Sequence, residues 1–294
     1  KSNKYSMMVN ELILDTDGIL LFRFKPNKYQ IKVTNTDTSS TNSQYLVFNV
    51  NIDSIYPTKE DYRREGIYYI YQFLRILNRA LILALQGAGY VGTEAIFLYN
   101  PKDQLFYISR TTTVTTLNIQ LNSDLSYLFN GLFMEKIDGT YWRIIMDDTI
   151  NLSEQVGGRN IYTAEYSSTD NWRQVTSINL YMTNNLHITN SLTYTYDYNQ
   201  LNYSQNKERS QLLLKVFYPE FNDVNNRIKL FFQNSNYPVC LKNVESRAIT
   251  PNSFSQLSFK MMLEMSTGEE YPIYLDKTSH LLGEIVIEET LNVY

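Results

Sequence analysis

The feature that most constrains this chain is a period-two alternation of apolar and polar residues that returns along its second half. In Gln256 to Met265, the side chains Leu257, Phe259, Met261, Leu263 and Met265 share one face, while Ser258, Lys260 and Glu264 share the other and Met262 breaks the pattern. Gln211 to Tyr218 alternates through Leu212, Leu214, Val216 and Tyr218, and Ser177 to Thr183 through Ile178, Leu180 and Met182. Successive side chains of a strand point to opposite faces, so such segments bury one face and wet the other, as in an antiparallel sandwich. Further strands are expected near 28–34, 45–52, 113–121, 141–146, 227–233, 271–275 and 282–289.

Turn chemistry adds two hairpins. Asp17-Gly18 between the apolar runs Glu11 to Asp15 and Gly18 to Lys25 is a strong hairpin signal. Asn100-Pro101-Lys102-Asp103 separates Ala95 to Tyr99 from Leu105 to Ser109, and proline suits a turn because its φ is preset. After Pro57 the period changes to that of a helix. Thr58-Lys59-Glu60-Asp61 reads as an N-terminal cap, and Ile67, Ile70, Leu74, Leu77, Leu81 and Leu85 recur at spacings of three and four up to Gly87. Arg64, Gln72, Arg75 and Arg79 fall outside that stripe. Ile67 to Leu85 nearly matches a bilayer in length, but Arg75 and Arg79 near its middle argue for a helix packed on the sandwich, with no membrane span. A second, short helix is expected at Asp124 to Phe133.

Composition decides which classes of partner and chemistry are open. The 294 residues carry 26 Lys and Arg against 30 Asp and Glu, a net charge of −4 with no basic surplus for a phosphate backbone, so no specific nucleic-acid partner is expected. Charged residues are 19% of the chain, and neutral polar residues fill the gap, with 30 Asn beside 25 Tyr. Both residues have AT-rich codons, which points to an AT-rich genome. Cys240 is the single cysteine, so no internal disulfide can form. The chain opens Lys1-Ser2-Asn3 and shows no signal peptide, which reads as a trimmed chain. The sequons at Asn151 and Asn202 are those that chance supplies in an Asn-rich sequence.

A search for chemistry returns little. Gly87-Ala88-Gly89-Tyr90-Val91-Gly92 matches a dinucleotide fingerprint, yet a helix precedes it, so phosphates would meet a helix C-terminus of the wrong partial charge; it reads as a helix cap and loop. His187, His280 and Cys240 are too few for a thiolate- or imidazole-rich metal site, and Cys240 sits in an apolar setting. Asp15-Thr16-Asp17-Gly18 lacks the later ligands of a calcium loop. The doublets Asp147-Asp148, Glu269-Glu270 and Glu288-Glu289 place neighbouring carboxylates on opposite faces of a strand, so none is itself a glycosidase pair. No catalytic residue, metal ligand or cofactor is assigned. Thr189 to Ser210 is the long polar stretch without clear periodicity, and its Tyr194, Tyr196, Tyr198 and Tyr203 among Asn, Ser and Thr have the chemistry of an adaptable contact loop.

The order of these elements resembles a known family. The helix segment Tyr68-Tyr69-Ile70-Tyr71-Gln72-Phe73-Leu74 through Leu77-Asn78-Arg79-Ala80-Leu81 precedes the hairpin Phe97 to Phe106. Leu128-Phe129-Asn130-Gly131-Leu132-Phe133 follows, and then a C-terminal hairpin, Leu257 to Ile287, around Gly268 and Tyr271-Pro272-Ile273-Tyr274-Leu275. This pattern resembles the minor capsid, or penton, proteins of virophages and polinton-like viruses of the Mavirus type. The resemblance implies a mainly β, single jelly-roll sandwich with one long helix and an inserted β-rich elaboration. It also implies a non-enzymatic structural role as a homopentamer at capsid vertices, among major capsid proteins of the double jelly-roll type. The location implied is the virion, assembled in the infected host cell. On this reading residues 1–294 form one domain built from both chain ends, with strands of about 7–52 and 210–290 sharing sheets and an elaboration at about 55–150; the alternative is two domains, 1–150 and 151–294. The other functional readings are a lectin-like glycan-binding module and, third, a β-sandwich hydrolase. A shallow aromatic-floored pocket would favour the former, and two convergent carboxyls with raised pKa the latter.

Overall fold

The computed structural model describes residues 4–16, 19–54, 65–182, 193–195, 209–217, 228–233, 242–245, 259–273 and 280–290. Along the chain run β1 (Lys4–Thr16), β2 (Phe22–Arg23), β3 (Gln30–Asn35), β4 (Ser40–Tyr45), the short helix α1 (Val50–Asp53), β5 (Gly66–Ile67), the long helix α2 (Ile70–Gly87), β6 (Ala95–Asn100), β7 (Leu105–Thr111) and β8 (Leu117–Asn122). Then come α3 (Ser123–Leu128), β9 (Met134–Lys136), β10 (Tyr141–Ile144), β11 (Leu152–Val156), β12 (Arg159–Thr163) and a 3-10 turn at Thr169–Trp172. The chain continues through β13 (Val175–Met182), β14 (Thr193–Thr195), β15 (Arg209–Phe217), β16 (Ile228–Gln233), β17 (Lys242–Glu245), β18 (Phe259–Met265), β19 (Glu270–Pro272) and β20 (His280–Thr290). The described residues are mainly β with one long helix.

The backbone divides into two compact units, one of Lys1–Ile19 with Val175–Tyr294 and one of Leu20–Gln174. Among the described residues, the first holds two antiparallel sheets. In one, β1 is central: β20 lies along one edge, and β16 and β17 share the other. In the second, the order is β14-β15-β13-β18-β19. This pairing corrects the expected hairpin about Asp15 to Gly18. Glu11 to Thr16 bonds Gln233 to Ile228 on one side, and Glu11 to Asp15 bonds Glu284 to His280 on the other, so no edge is left for the residues that follow. Asp17 and Gly18 themselves lie outside the described residues. Of the strands expected within 7–52, β1 shares a sheet with late strands, whereas β4 pairs with β3 and β3 in turn with β8.

In the second unit the sheets are β4-β3-β8-β10-β9 and β11-β12-β7-β6, with a β2–β5 ribbon. The expected hairpin forms with Ala95 opposite Arg110 and Asn100 opposite Leu105. A second hairpin, β11–β12, turns at Gly157 and Gly158, both at positive φ. The core of this unit is aromatic. Trp172 is stacked on Phe106 at 5.2 Å and meets Phe73 and Phe129 edge-on at 5.1 and 5.4 Å, while its indole N–H donates to the Leu128 carbonyl. Each such ring pair adds about 0.5–1.5 kcal/mol beyond area burial.

Helix α2 starts later than its periodicity suggests. Ile67 lies in β5, the cap expected at Thr58 is outside the described residues, and the N-cap is Tyr69. The segment 45–52, expected as a strand, instead ends β4 and enters α1. Asn49 caps α1 by accepting from the Asn51 N–H, and the Asp53 carboxylate accepts from the Asn49 N–H. These two misreadings have one cause. Gln72, placed outside the apolar stripe, is buried because its amide donates to the carbonyls of Asp53 and Gly66 and accepts from the Tyr68 N–H. Arg79 and Arg75 likewise reach back to the fully buried Asp53, at 2.6 and 3.5 Å.

At its other end α2 stops as expected. Gly89 (φ +90°) lets the Gly89 and Tyr90 N–H groups turn back onto the carbonyls of Gln86 and Leu85, a Schellman closure. Helix α3 ends at Leu128, short of the expected Phe133. Gly131 and the residues around it are drawn instead toward Tyr166, and the Gly131 carbonyl accepts from the Glu165 N–H.

Candidate binding surfaces

Most sequence-level candidates turn out to serve the fold. Val91 and Gly92 in the glycine-rich loop donate their N–H groups to the Glu94 carboxylate at 2.6 and 2.7 Å, so an internal anion already occupies that nest. Asp147 closes its own turn. The Thr149 hydroxyl and then the Thr149 N–H hold its carboxyl below the usual range. Asp148 pairs with Arg110 at 3.1 Å and accepts from the Tyr162 hydroxyl. Glu288 and Glu289 lie opposite Ser6 and Tyr5 on the β1–β20 ladder, and His280 begins β20 opposite Asp15. His187 and Cys240 are outside the described residues. So are Tyr196, Tyr198 and Tyr203. Tyr194 lies in β14, opposite Ser210 of β15, so the polar stretch contributes an edge strand to a sheet.

The period-two reading of β13 missed a buried polar face. Ser177, Asn179 and Tyr181 are buried, as are Ile178 and Leu180 on the other side. The register sets Ser177 beside Glu264 of β18, and Glu264 beside Glu270 of β19. Across this row the Asn179 amide donates to both Glu264 (2.9 Å) and Glu270 (2.5 Å), Ser177 donates to Glu264 (3.0 Å), and the Tyr181 hydroxyl donates to Glu270 (2.6 Å). Two carboxyls thus converge, but on hydrogen-bond donors of their own sheet. Glu269 points elsewhere, to the Tyr271 hydroxyl. The polar alternation Ser-Ile-Asn-Leu-Tyr was the visible signal; that carboxylates would cover it depends on register.

Two open cavities, each of about 500 Å³, lie in the unit Leu20–Gln174. The first is charged and internally paired. Buried Arg110 donates to Asp148 and to the Met146 carbonyl beneath the Tyr162 ring, and Arg143 pairs with Glu135. The second lies between α3 and the β9–β10 hairpin, with Tyr127 and Asn130 on one side and Met134, Lys136 and Trp142 on the other.

Apolar side chains also reach the surface. Phe97, Tyr99 and Ala95 fill the core from β6, yet Ile96 and Leu98 on its outer face are 38% and 40% exposed. On α2, Tyr71, Ile82 and Leu83 are exposed, and Val91 is 77% exposed. No helix among the described residues is long and apolar enough to cross a membrane.

The architecture is a mainly β, jelly-roll-like fold that solved structures share. The chain superposes on the crystal structure of the mavirus penton protein with a TM-score of 0.69 at 16% identity, covering 99% of this chain and 90% of that one. It superposes on a chain of the Sputnik virophage structure determined by cryo-EM with a TM-score of 0.65 at 17% identity, covering 98% and 88%. At these identities the likeness is one of fold. No family model matches the sequence, and no curated protein matches it.

Proposed function

We propose that this chain is a structural, non-enzymatic capsid protein that forms homopentameric vertex capsomers in a virophage-type particle. The observation that carries the reading is the end-to-end superposition on the mavirus penton protein, which spans both units rather than one shared sheet. The jelly-roll domain is then the unit made of both chain ends, and Leu20–Gln174 is an elaboration larger than the 55–150 expected from sequence. The partners are further copies of the chain and a double jelly-roll major capsid protein, and the location is the virion, assembled in the infected host cell. Tyr194, Tyr196, Tyr198 and Tyr203 supply an inter-subunit or receptor contact.

A closed ring needs heterologous contacts, one flank of each subunit meeting the other flank of its neighbour. Surfaces of tyrosine and uncharged amides and hydroxyls are buried at lower desolvation cost than charged ones, and exposed Ile96, Leu98 and Ile82 add apolar area. A charge of −4 per subunit becomes 5 × −4 = −20 per ring, so screening by salt favours association. The test is native mass spectrometry and light scattering across salt and protein concentration, followed by imaging of particles. A five-subunit mass, or density for the chain at five-fold vertices, is expected; a strict monomer or dimer absent from the vertices would overturn the reading.

A further inference from the structure

The cavity between α3 and the β9–β10 hairpin has the chemistry of a ligand site. Ser123, Ser126, Tyr127 and Asn130 follow each other at spacings of three, one and three, so they lie along one side of α3 and the turn after it. Across from them, Lys136 is directly opposite Trp142 in the β9–β10 register, and Met134 is opposite Ile144, so Met134, Lys136 and Trp142 share one sheet face. Leu132 and Met134 give the cavity an apolar floor beside the Trp142 ring.

The polar groups at this cavity divide in two. Ser123 and Ser126 are spent on the carbonyls of Thr140 and Ser123. The Tyr127 hydroxyl, the Asn130 amide, the Lys136 ammonium and the Trp142 indole N–H make no hydrogen bond or ion pair with another described residue. Tyr127 is 57% exposed, so its ring is presented at the rim. Among the described residues, Lys136 is the one cation of the lining and no carboxylate lines the cavity; Asp138 lies near enough to feel the ammonium charge without pairing.

We propose that this cavity, between Tyr127 and Asn130 on one wall and Lys136 and Trp142 on the other, binds an oligosaccharide carrying an anionic group. A pyranose has one apolar C–H face, which an indole or phenol ring covers, and hydroxyls around its edge, which a planar amide can meet as donor and acceptor together. Apolar walls with a few convergent polar groups are the usual make-up of a small-ligand site. The ammonium, which forms no ion pair with a described residue, selects a sugar carboxylate or sulfate over a neutral residue. An acidic peptide is the less suitable occupant, because strand addition needs an open edge and β9 offers three residues. The site stands within the unit Leu20–Gln174 and does not depend on assembly.

The protein reports on this site by itself. It has two tryptophans, and Trp172 is fully buried, so the ligand-sensitive tryptophan emission belongs to Trp142. The full chain is titrated with hyaluronan tetrasaccharide, a sulfated chondroitin tetrasaccharide, neutral cellotetraose and the peptide acetyl-Glu-Phe-Glu-Phe-amide. Saturable change with at least one anionic sugar is expected, with a dissociation constant of about 0.1–1 mM. The exposed changes Lys136→Gln and Asn130→Ala, followed by saturation-transfer NMR, should weaken that sugar roughly three- to tenfold, and Lys136→Gln should leave any cellotetraose binding unaltered. Trp142→Phe should retain binding and Trp142→Ala should lose it. The inference fails if no sugar saturates the signal up to about 10 mM, if both exposed variants bind as the parent does, if cellotetraose matches the anionic sugars, or if the peptide alone binds.

Discussion

Gly131 has no room for a methyl group. A Cβ there would stand 2.1 Å from the Tyr166 carbonyl oxygen, a backbone atom held by its own neighbours rather than a side chain free to swing away. Gly131→Ala should therefore destabilise the protein by about 1–3 kcal/mol, read as a lower urea midpoint, since overpacking is relieved only by backbone movement. Tyr162 gives a second residue-scale test. Burial first, and the Asp148 carboxylate next, push its phenol up from 10.0 to about 12. The folded chain thus resists losing this proton while the unfolded chain does not. Between those two values the unfolded state binds fewer protons, so stability is full below about pH 10 and falls as pH rises toward 12. Burial also raises Tyr29, in the same direction. Chemical unfolding of Tyr162→Phe across pH 9 to about 12 should show a shallower decline than the parent.

At the scale of elements, the open edge of β6 is closed by a helix. Sheet order leaves β6 at an edge, where unpaired N–H and C=O groups invite another chain. The Asn78 amide of α2 accepts from the Phe97 N–H (2.8 Å) and donates to the Phe97 carbonyl (2.9 Å), and the Tyr71 hydroxyl donates to the Tyr99 carbonyl. One side chain thereby supplies both hydrogen bonds of a missing strand residue. Asn78→Leu should cost about 1–3 kcal/mol, because both Phe97 groups lose their partner. It should also raise concentration-dependent association, seen as a growing hydrodynamic radius. An unchanged unfolding midpoint and radius would assign the clamp no role. Asp53 works similarly for α1: its burial is tolerated because Arg79, Arg75 and the Asn49 N–H all meet it.

For the whole molecule, the two units make different demands on the chain. Leu20–Gln174 is contiguous and carries its own aromatic core about Trp172, Phe73, Phe106 and Phe129. Expressed alone, it should fold and unfold in one cooperative transition, with Trp172 emission blue-shifted in the folded state. A fragment with red-shifted emission and no transition would show that it depends on the rest of the chain. The other unit joins Lys1–Ile19 to Val175–Tyr294, so β1 must find β16, β17 and β20 across more than two hundred residues. Such non-local pairing is slow to form, and in stopped-flow refolding of the full chain the Trp172 signal should recover before overall compactness does.

What the sequence determined by itself was local. Alternation placed β13, β15 and β18, Pro101 with Asp103 placed the β6–β7 turn, and the three- and four-residue spacing of Leu74, Leu77, Leu81 and Leu85 placed α2. Each of these signals comes from residues a few positions apart, whose geometry follows from a strand repeat of two or a helix repeat near 3.6. Partnership was decided only in three dimensions. Nothing near Asp17-Gly18 says that both edges of β1 are taken by strands from the far end of the chain, and nothing near Gln72 says that Asp53 and Gly66 will offer it carbonyls. Glu264 and Glu270 meet on Asn179 through the pairing of segments far apart in sequence, and Trp142 stands across a cavity from Tyr127 through the register of the β9–β10 hairpin and its packing beside α3. A one-residue slip in either sheet would turn those side chains to the opposite face, because the side-chain period of a strand is two.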